Sequence, residues 1–388
     1  MTVTARFALV PRDGLFCKDG RGWHTSASGR GHTLEWPWPS TVLGALRTAW
    51  GRGEESRSGD EFGPDEWYTR TAEIQLRSTL VLRREPHDVG WSAGCRVWPV
   101  PSDALWLEDG EVCGFEPVPP TVPTLGRDDD GEREALWRPR LENAAKPLPS
   151  SRWWGEDVFA TWLAGRSIPT GASEKRPALH RRIQAHVRIR PDELTADEGI
   201  LFSHDVVETL EKEAEWAIGV EVTLPGETLP GLARLGSDGR LVWIEPLPEG
   251  VFDPPEPVLD AFRAKSPGLR LVVVTPACFN RGWLPDGLER REGSFRGRLA
   301  GIDSELVLRA AFVPRPLHVS GWDMANGAPK PTSRMVPPGA VYFLERADGQ
   351  SFDEVTARAL WLKALGARTE EGFGRVVAGV WNPSRSGQ

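Results

Sequence analysis

Seven histidines are the first residues with chemistry to offer, because an imidazole near neutral pH can act as a general base without a metal. His24 and His32 fall in a glycine- and serine-rich stretch, PRDGLFCKDGRGWHTSASGRGHTLEWPWP. His180 and His186 lie in a basic one, and His87, His204 and His318 stand alone. A hydrogen-bonded or solvated histidine is the plainer reading of each. Acidic neighbours such as Glu370 and Glu371, or the run at 128–130, carry no coordination-loop spacing, so a solvated surface outweighs a metal site. The four cysteines have no CxxC pair and suggest neither zinc nor a disulfide framework. No phosphate-binding P-loop, HExxH, GxSxG or kinase signature occurs. No metal and no cofactor is expected.

The second group is cationic. Lys18, Arg21 and Arg30, then Lys330 and Arg334, then Arg368 and Arg375 sit in glycine- or proline-rich neighbourhoods, and Arg47 joins them from a helix. Each cluster alone reads as a solvated face. Several at loop positions form the electrostatic footprint of a phosphate-binding surface. The last cluster contains EEGFGRVVAGVW. A helical pattern enters this loop and a β-branched run leaves it, the reverse of a dinucleotide-binding turn. Gly372, Phe373, Gly374 and Val376 fit an RNA-stacking strand, but Glu371, Arg375 and Ala378 occupy the positions that need a base and two aromatics. Two readings remain open: a phosphate cradle built from backbone N–H groups with Arg375 beside it, and a tight helix-to-strand turn that needs φ > 0.

The elements that must position these residues follow from patterning. ARFALV reads as a strand, and PSTVLGALRTAW as a helix capped by Ser40 or Thr41, with Val42, Leu43, Leu46 and Trp50 inward. AEIQLRSTLVLRR is a strand, CRVWPVPSDALWL a pair of short ones and DVFATWLAGR a short helix. In RRIQAHVRIRPDEL the alternation turns Ile183, Ala185, Val187 and Ile189 inward. WAIGVEVTL and RLVWIEPL flank GSDGR as a hairpin, and EPLPEGVFDPPEPV is the most linker-like piece. Beyond it come LRLVVVTPACF, a long strand SELVLRAAFVPRPLHVSGW, AVYFLER, a helix at 352–365 and RVVAGVW. Two polar insertions interrupt the pattern, a mobile one at 51–66 and a proline-rich acidic loop at 116–134.

At 388 residues the chain can bury two cores, divided near residue 250 into domains 1–250 and 251–388. The net charge of −8 does not favour a polyanionic partner, but its distribution is uneven. Residues 1–50 hold six Lys/Arg against three Asp/Glu, and residues 281–388 hold fifteen against twelve, so the acid excess lies in the middle. Local field decides phosphate attraction within roughly 8 Å, so a basic surface remains open to an acidic protein. No leader-like start and no membrane-length apolar run is present, and a cytoplasmic location is expected.

The segments PRDGLFCKDGRGW, PWPSTVLGALRTAWG, HVRIRPDELTADEGILF, SGWDMANGAPKPTSRMVPPGAVYFLE and EEGFGRVVAGVW, in this order, resemble the third Cmr subunit of type III-B CRISPR effector complexes, within the RAMP superfamily. That resemblance implies an α+β chain of two ferredoxin-like (RRM-like) domains packed together, with loop insertions. It implies a non-catalytic, crRNA-binding assembly subunit that grips the repeat-derived 5′ handle beside the large polymerase/cyclase-like subunit and the backbone subunits. Carried over residue by residue, the RNA-binding positions are Lys18, Arg21, Trp23, Ser40, Arg47, Lys330, Arg334, Gly372, Phe373, Gly374 and Arg375. One spacing departs from the superfamily: four residues, not five, separate Gly374 from Gly379. The alternative is a metal-independent endoribonuclease of the same superfamily, with His24 or His32 as base.

Overall fold

The computed structural model describes residues 2–18, 30–108, 111–119, 136–141, 146, 153–169, 177–226, 229–291, 293–323 and 326–383. The chain is mixed α and β, with mostly antiparallel sheets and few helices. It forms two compact units and passes between them five times. The first comprises Met1–Ser92, Leu179–Glu249 and His318–Ser333; the second comprises Ala93–Ala178, Gly250–Leu317 and Arg334–Gln388. One crossing, between Glu249 and Gly250, falls at the expected division, while Ala93–Ala178 clusters with the second unit.

In the first unit, β1 (Thr2–Pro11) is followed by α1 (Pro39–Ser58), α2 (Pro64–Ala72) and β2 (Gln75–Arg84). Then come β3 (His180–Ile189), β4 (Ala196–Glu208), β5 (Glu215–Pro225), β6 (Leu232–Leu235) and β7 (Arg240–Pro246). The sheet runs β6-β7-β1-β5-β2, every neighbouring pair antiparallel. α1 covers one face, burying Val42, Leu43, Leu46, Ala49 and Trp50 against Ile218, Val220, Val222, Leu235 and Val242. Each Val, Leu or Ile among them contributes roughly 1.5–3 kcal/mol by leaving water.

Three expectations change here. α1 begins at Pro39 with Trp38 at the N-cap, not Ser40 or Thr41, because a proline at the first turn has no N–H to satisfy. The segment 51–66, expected as an irregular polar insertion, is largely helical. α1 continues through it to the left-handed cap Gly59, and Gly51 lets the Trp67 ring of α2 lie against the helix, where a Cβ would meet it at 2.6 Å. The partner of β7 across the 236–239 turn is β6, whereas WAIGVEVTL pairs with β1 and β2.

β3 and β4 form a hairpin, and the turn-out of β3 is opposite to expectation: Ile183 is 58% and Val187 44% exposed. No second layer covers the aliphatic side among the described residues. The polar side is the covered one, since His186 stacks on Phe202 at 5.2 Å and on His204 at 4.5 Å, with Phe16 closing the column against His204 at 4.1 Å.

In the second unit, α3 (Glu156–Leu163), α4 (Glu256–Arg263) and α5 (Glu354–Leu360) accompany β8 (Gly268–Val273), β9 (Leu288–Arg291), β10 (Ser294–Gly297), β11 (Leu306–Phe312), β12 (Val341–Arg346), β13 (Lys363–Ala364) and β14 (Arg375–Trp381). The sheet order is β9-β10-β11-β12-β8-β14-β13, antiparallel throughout. The expected linker runs into α4, whose Val258, Leu259 and Phe262 are buried. The long strand expected from Ser304 stops at Phe312, before Pro314 and Pro316, which cannot donate to a ladder. The helix expected over 352–365 is shorter: Asp353 caps it by accepting from the Thr356 N–H, and it ends at Leu360 because Leu362 has φ 55° and Lys363 pairs with Val376.

Two ion pairs are sealed into this unit. Arg96 donates to Glu156 at 2.6 and 2.8 Å, and the Trp98 indole donates to the same carboxylate at 2.6 Å. Asp103, fully buried, lies 3.0 Å from Arg270 and accepts from the Trp162 indole at 3.2 Å. Burial pushes both carboxyls up, and Arg270 and Arg96 pull them back.

Candidate nucleic-acid interface

The glycine loop of the second unit is closed by its own hydrogen bonds. Gly372 has φ 89° and Gly374 φ 73°, and a Cβ on Gly374 would stand 2.0 Å from the Leu365 carbonyl oxygen. The Gly372 N–H donates to Thr369 O at 3.1 Å, the Gly374 N–H to Pro276 O at 2.8 Å and the Arg375 N–H to Thr275 Oγ1 at 2.9 Å. Thr275 Oγ1 in turn donates to Gly372 O at 3.0 Å. These N–H groups are therefore engaged within the protein in this conformation. Of the two readings the sequence left open, the tight turn describes the geometry. Phe373 is completely buried, with the Arg368 guanidinium 4.8 Å from its ring centre, and Arg375 is nearly buried and donates to Thr369 O at 2.8 Å. Arg368 itself makes a two-pronged pair with Glu371 at 2.7 and 2.8 Å.

What the turn holds is the segment 275–278. Thr275 and Pro276 bond the glycine loop; Ala277 exchanges N–H···O bonds with Val336 at 2.9 and 2.8 Å. That exchange fixes the strand carrying Arg334. Just past Cys278 the chain makes a tight turn in which Phe279 bridges Gly282 and Arg281 bridges Leu284. Arg281 and Arg334, both exposed, thereby line one cavity of about 530 Å³ with the half-buried Trp283 and with Val313, Pro314 and Pro316. The Trp283 ring rests edge-on against Phe295 at 5.3 Å, and its carbonyl accepts from the Tyr342 hydroxyl at 2.5 Å. Two cations beside a braced indole can meet phosphates and stack a base. The sequence named Arg334 but not Arg281 or Trp283. Only the chain reversal at 279–284 brings those two to it, and a lone Arg and Trp give no periodic signal.

In the first unit, Lys18 is half-buried and bridges Thr33, whose hydroxyl accepts the Cys17 N–H at 3.0 Å. Ser40 and Arg47 stand seven residues apart on α1, about two turns, and so share a side of the helix. Arg47 donates to the Ile74 carbonyl at 3.1 Å, tying α1 to the start of β2. Lys330 is exposed at the exit of a small hairpin in which Trp322 pairs with Pro329, and its N–H donates to Gly321 O at 2.8 Å. Trp322 is 57% exposed beside it, a second aromatic that the sequence reading passed over. Arg21, Trp23 and His24 lie outside the described residues. His32 Nδ1 is 3.3 Å from Asp205 Oδ2 with its ring partly exposed, whereas His204 is buried in the ring column and burial pulls its pKa down. Among the described residues no group of three or more His, Cys, Asp or Glu could hold a metal, and no helix is long and apolar enough to cross a membrane.

No curated protein sequence matches the chain significantly. Among solved structures, a chain of the type III-B Cmr-beta complex bound to cognate target RNA and AMPPnP, state 1, aligns at 12% identity over 87% of this chain and 86% of that one, with a TM-score of 0.45. A chain of Cmr-beta bound to cognate target RNA aligns at 11% over the same shares, with a TM-score of 0.42. Residues 7–381 match the family model of the CRISPR-associated protein Cas_Cmr3, and the chain belongs to that family.

Proposed function

We propose that this protein is a non-catalytic subunit of a type III-B Cmr effector complex that grips the repeat-derived 5′ handle of the crRNA and contacts the large polymerase/cyclase-like subunit and the backbone subunits. The observation that carries the RNA-binding reading is the cavity where Arg281 and Arg334 flank Trp283, two exposed guanidiniums for which no ion pair occurs among the described residues. Lys18 and Lys330, the latter beside Trp322, supply further cations. The glycine turn acts by position: Gly372, Phe373, Gly374 and Arg375 hold 275–278, which holds the two arginines. Ser40 and Arg47 act through α1, and Arg21 and Trp23, outside the described residues, complete the set.

Each unit is read as a ferredoxin-like domain, and strand order supports it. In that βαββαβ pattern the sheet places the fourth strand beside the first, then the third, then the second. β7-β1-β5-β2 has this order in the first unit and β14-β8-β12-β11 in the second. The first unit keeps the helical first crossover, α1 with α2, and the second keeps the helical second crossover, α5.

The test is filter binding of a single-stranded RNA carrying the constant handle, at several salt concentrations. Arg281→Ala and Arg334→Ala each weaken binding and reduce the salt slope by about 0.7 for every phosphate left without its cation. Unchanged affinity and slope in both variants remove the cavity from the interface. The endoribonuclease alternative has one supporting observation, the His32–Asp205 pair, which has the form of a base and its orienting carboxylate. Cleavage of repeat RNA in EDTA, abolished by His32→Ala, would establish it.

A further inference from the structure

Among the described residues, strand β6 is the outermost strand of the first unit's sheet and pairs only with β7. Its inner side chains are buried, Ala233 across from Val242 and Leu235 across from Arg240. Its outer ones are not: Leu232 is 42% exposed across from Trp243 at 45%, and Arg234 faces Leu241 at 45%. The Ile244 N–H donates to Gly231 O at 3.0 Å, which makes Gly231 and Ile244 a hydrogen-bonded pair. The alternation of an antiparallel ladder then turns the backbone groups of Ala233 and Leu235 toward β7 and those of Leu232 and Arg234 toward the free edge.

Along that edge runs a groove of about 820 Å³ between β6 and the last turns of α1. Leu229, Pro230 and Leu232 give it an apolar floor, and Arg52, Arg57 and Arg234 give it cations; among the described residues no carboxylate lines it. Arg52 and Arg57 are paired within their own helix to Glu55 and Glu54, with both guanidiniums more than half exposed and the Glu55 carboxylate nearly buried. Arg234 has no ion pair among the described residues. Natural sheets rarely leave an edge open beside exposed leucines and a tryptophan unless something covers it.

We propose that this groove receives an extended, acidic segment of a partner protein, which adds a strand to β6. Main-chain bonds to Leu232 and Arg234 would give affinity, the apolar floor would take alternate side chains, and the arginines would select acidic residues at the others. A nucleic-acid strand has no means to complete the ladder, so the backbone edge and apolar floor favour a polypeptide over RNA.

The experiment compares amide hydrogen exchange in the full-length chain alone with the chain co-purified from its host with its accompanying proteins. The expected result is exchange at Leu232 and Arg234 slowed by about tenfold or more in the assembly, and unaltered by ribonuclease. Two variants carry the chemistry. Arg234→Pro removes one outward N–H, and a triple variant, Arg52→Glu with Arg57→Glu and Arg234→Glu, reverses the charge. Each is checked by its thermal melt and by retained slow exchange at Ala233 and Leu235, and the protection should disappear in both. Equal exchange with and without partners overturns the proposal, as does protection that ribonuclease abolishes or that the charge reversal leaves intact. Should Arg234→Pro disturb the fold, the charge reversal alone decides. The handle affinity of the Arg281→Ala and Arg334→Ala variants, measured separately, shows whether the RNA-binding reading fails or stands independently of this one.

Discussion

Asp103 and Arg270 show how much depends on a single buried pair. The carboxyl is fully enclosed, burial raises its pKa, and the guanidinium 3.0 Å away keeps the charge tolerable. Arg270→Met leaves that carboxylate without a cation and should cost roughly 3–5 kcal/mol in urea unfolding. The loss should shrink as pH falls, because a carboxyl whose folded pKa is raised gains stability by taking up a proton in the native state. An undiminished loss at low pH would assign the effect to packing alone. Glu354 is the opposite case. It is partly exposed, and Arg263 first and Arg358 second hold it down at about 2, from an ordinary value of 4.5. Its contribution to linking α4 with α5 is fully present above pH 4.5 and disappears as pH falls through about 2. Thermal melts of Glu354→Gln and of the parent protein should differ near neutrality and converge at the acid end.

At the scale of elements, the glycine turn matters for what it anchors. Gly374→Ala places a methyl 2.0 Å from a carbonyl oxygen at φ 73° and should destabilise the second unit by about 1–3 kcal/mol or more. If the turn positions Arg281 and Arg334 through residues 275–278, the same variant also weakens handle binding at temperatures where it is still folded. Full affinity in a destabilised Gly374→Ala would separate the turn from the interface. Patterning revealed most of the strands, but α4 was hidden because prolines at 254, 255 and 257 outweigh the apolar spacing of Val258, Leu259 and Phe262. The inverted face of β3 was hidden for a different reason. Alternation specifies two faces, and only the neighbouring layer decides which of them is covered.

At the scale of the whole chain, the interleaving of the units has a direct consequence. Ala93–Ala178 belongs with the segments after Gly250, and Arg96 bonds the carbonyls of Val251 at 3.3 Å and Asp253 at 2.5 Å. A cut at residue 250 therefore strips α3 and the tryptophans at 98, 106 and 154, all buried, from the unit that encloses them. Fragment 1–250 should expose this surface, bind a hydrophobic dye and aggregate, whereas the two fragments co-expressed should recover a cooperative melt. A monomeric 1–250 fragment with a sharp melt and no dye binding would show that residues 93–178 fold without the second unit.

Local sequence determined the strand-rich α+β character, the helix over Val42 to Trp50, the glycines with φ > 0 and the order of motifs that marks the family, because each depends on neighbours within a few turns of chain. Tertiary structure decided which N–H groups the glycine turn could still offer, which face of β3 was covered, and that Arg281 and Trp283 join Arg334. Those outcomes rest on contacts between residues tens of positions apart, whose geometry is set by chain reversals and packing rather than by the residue types themselves.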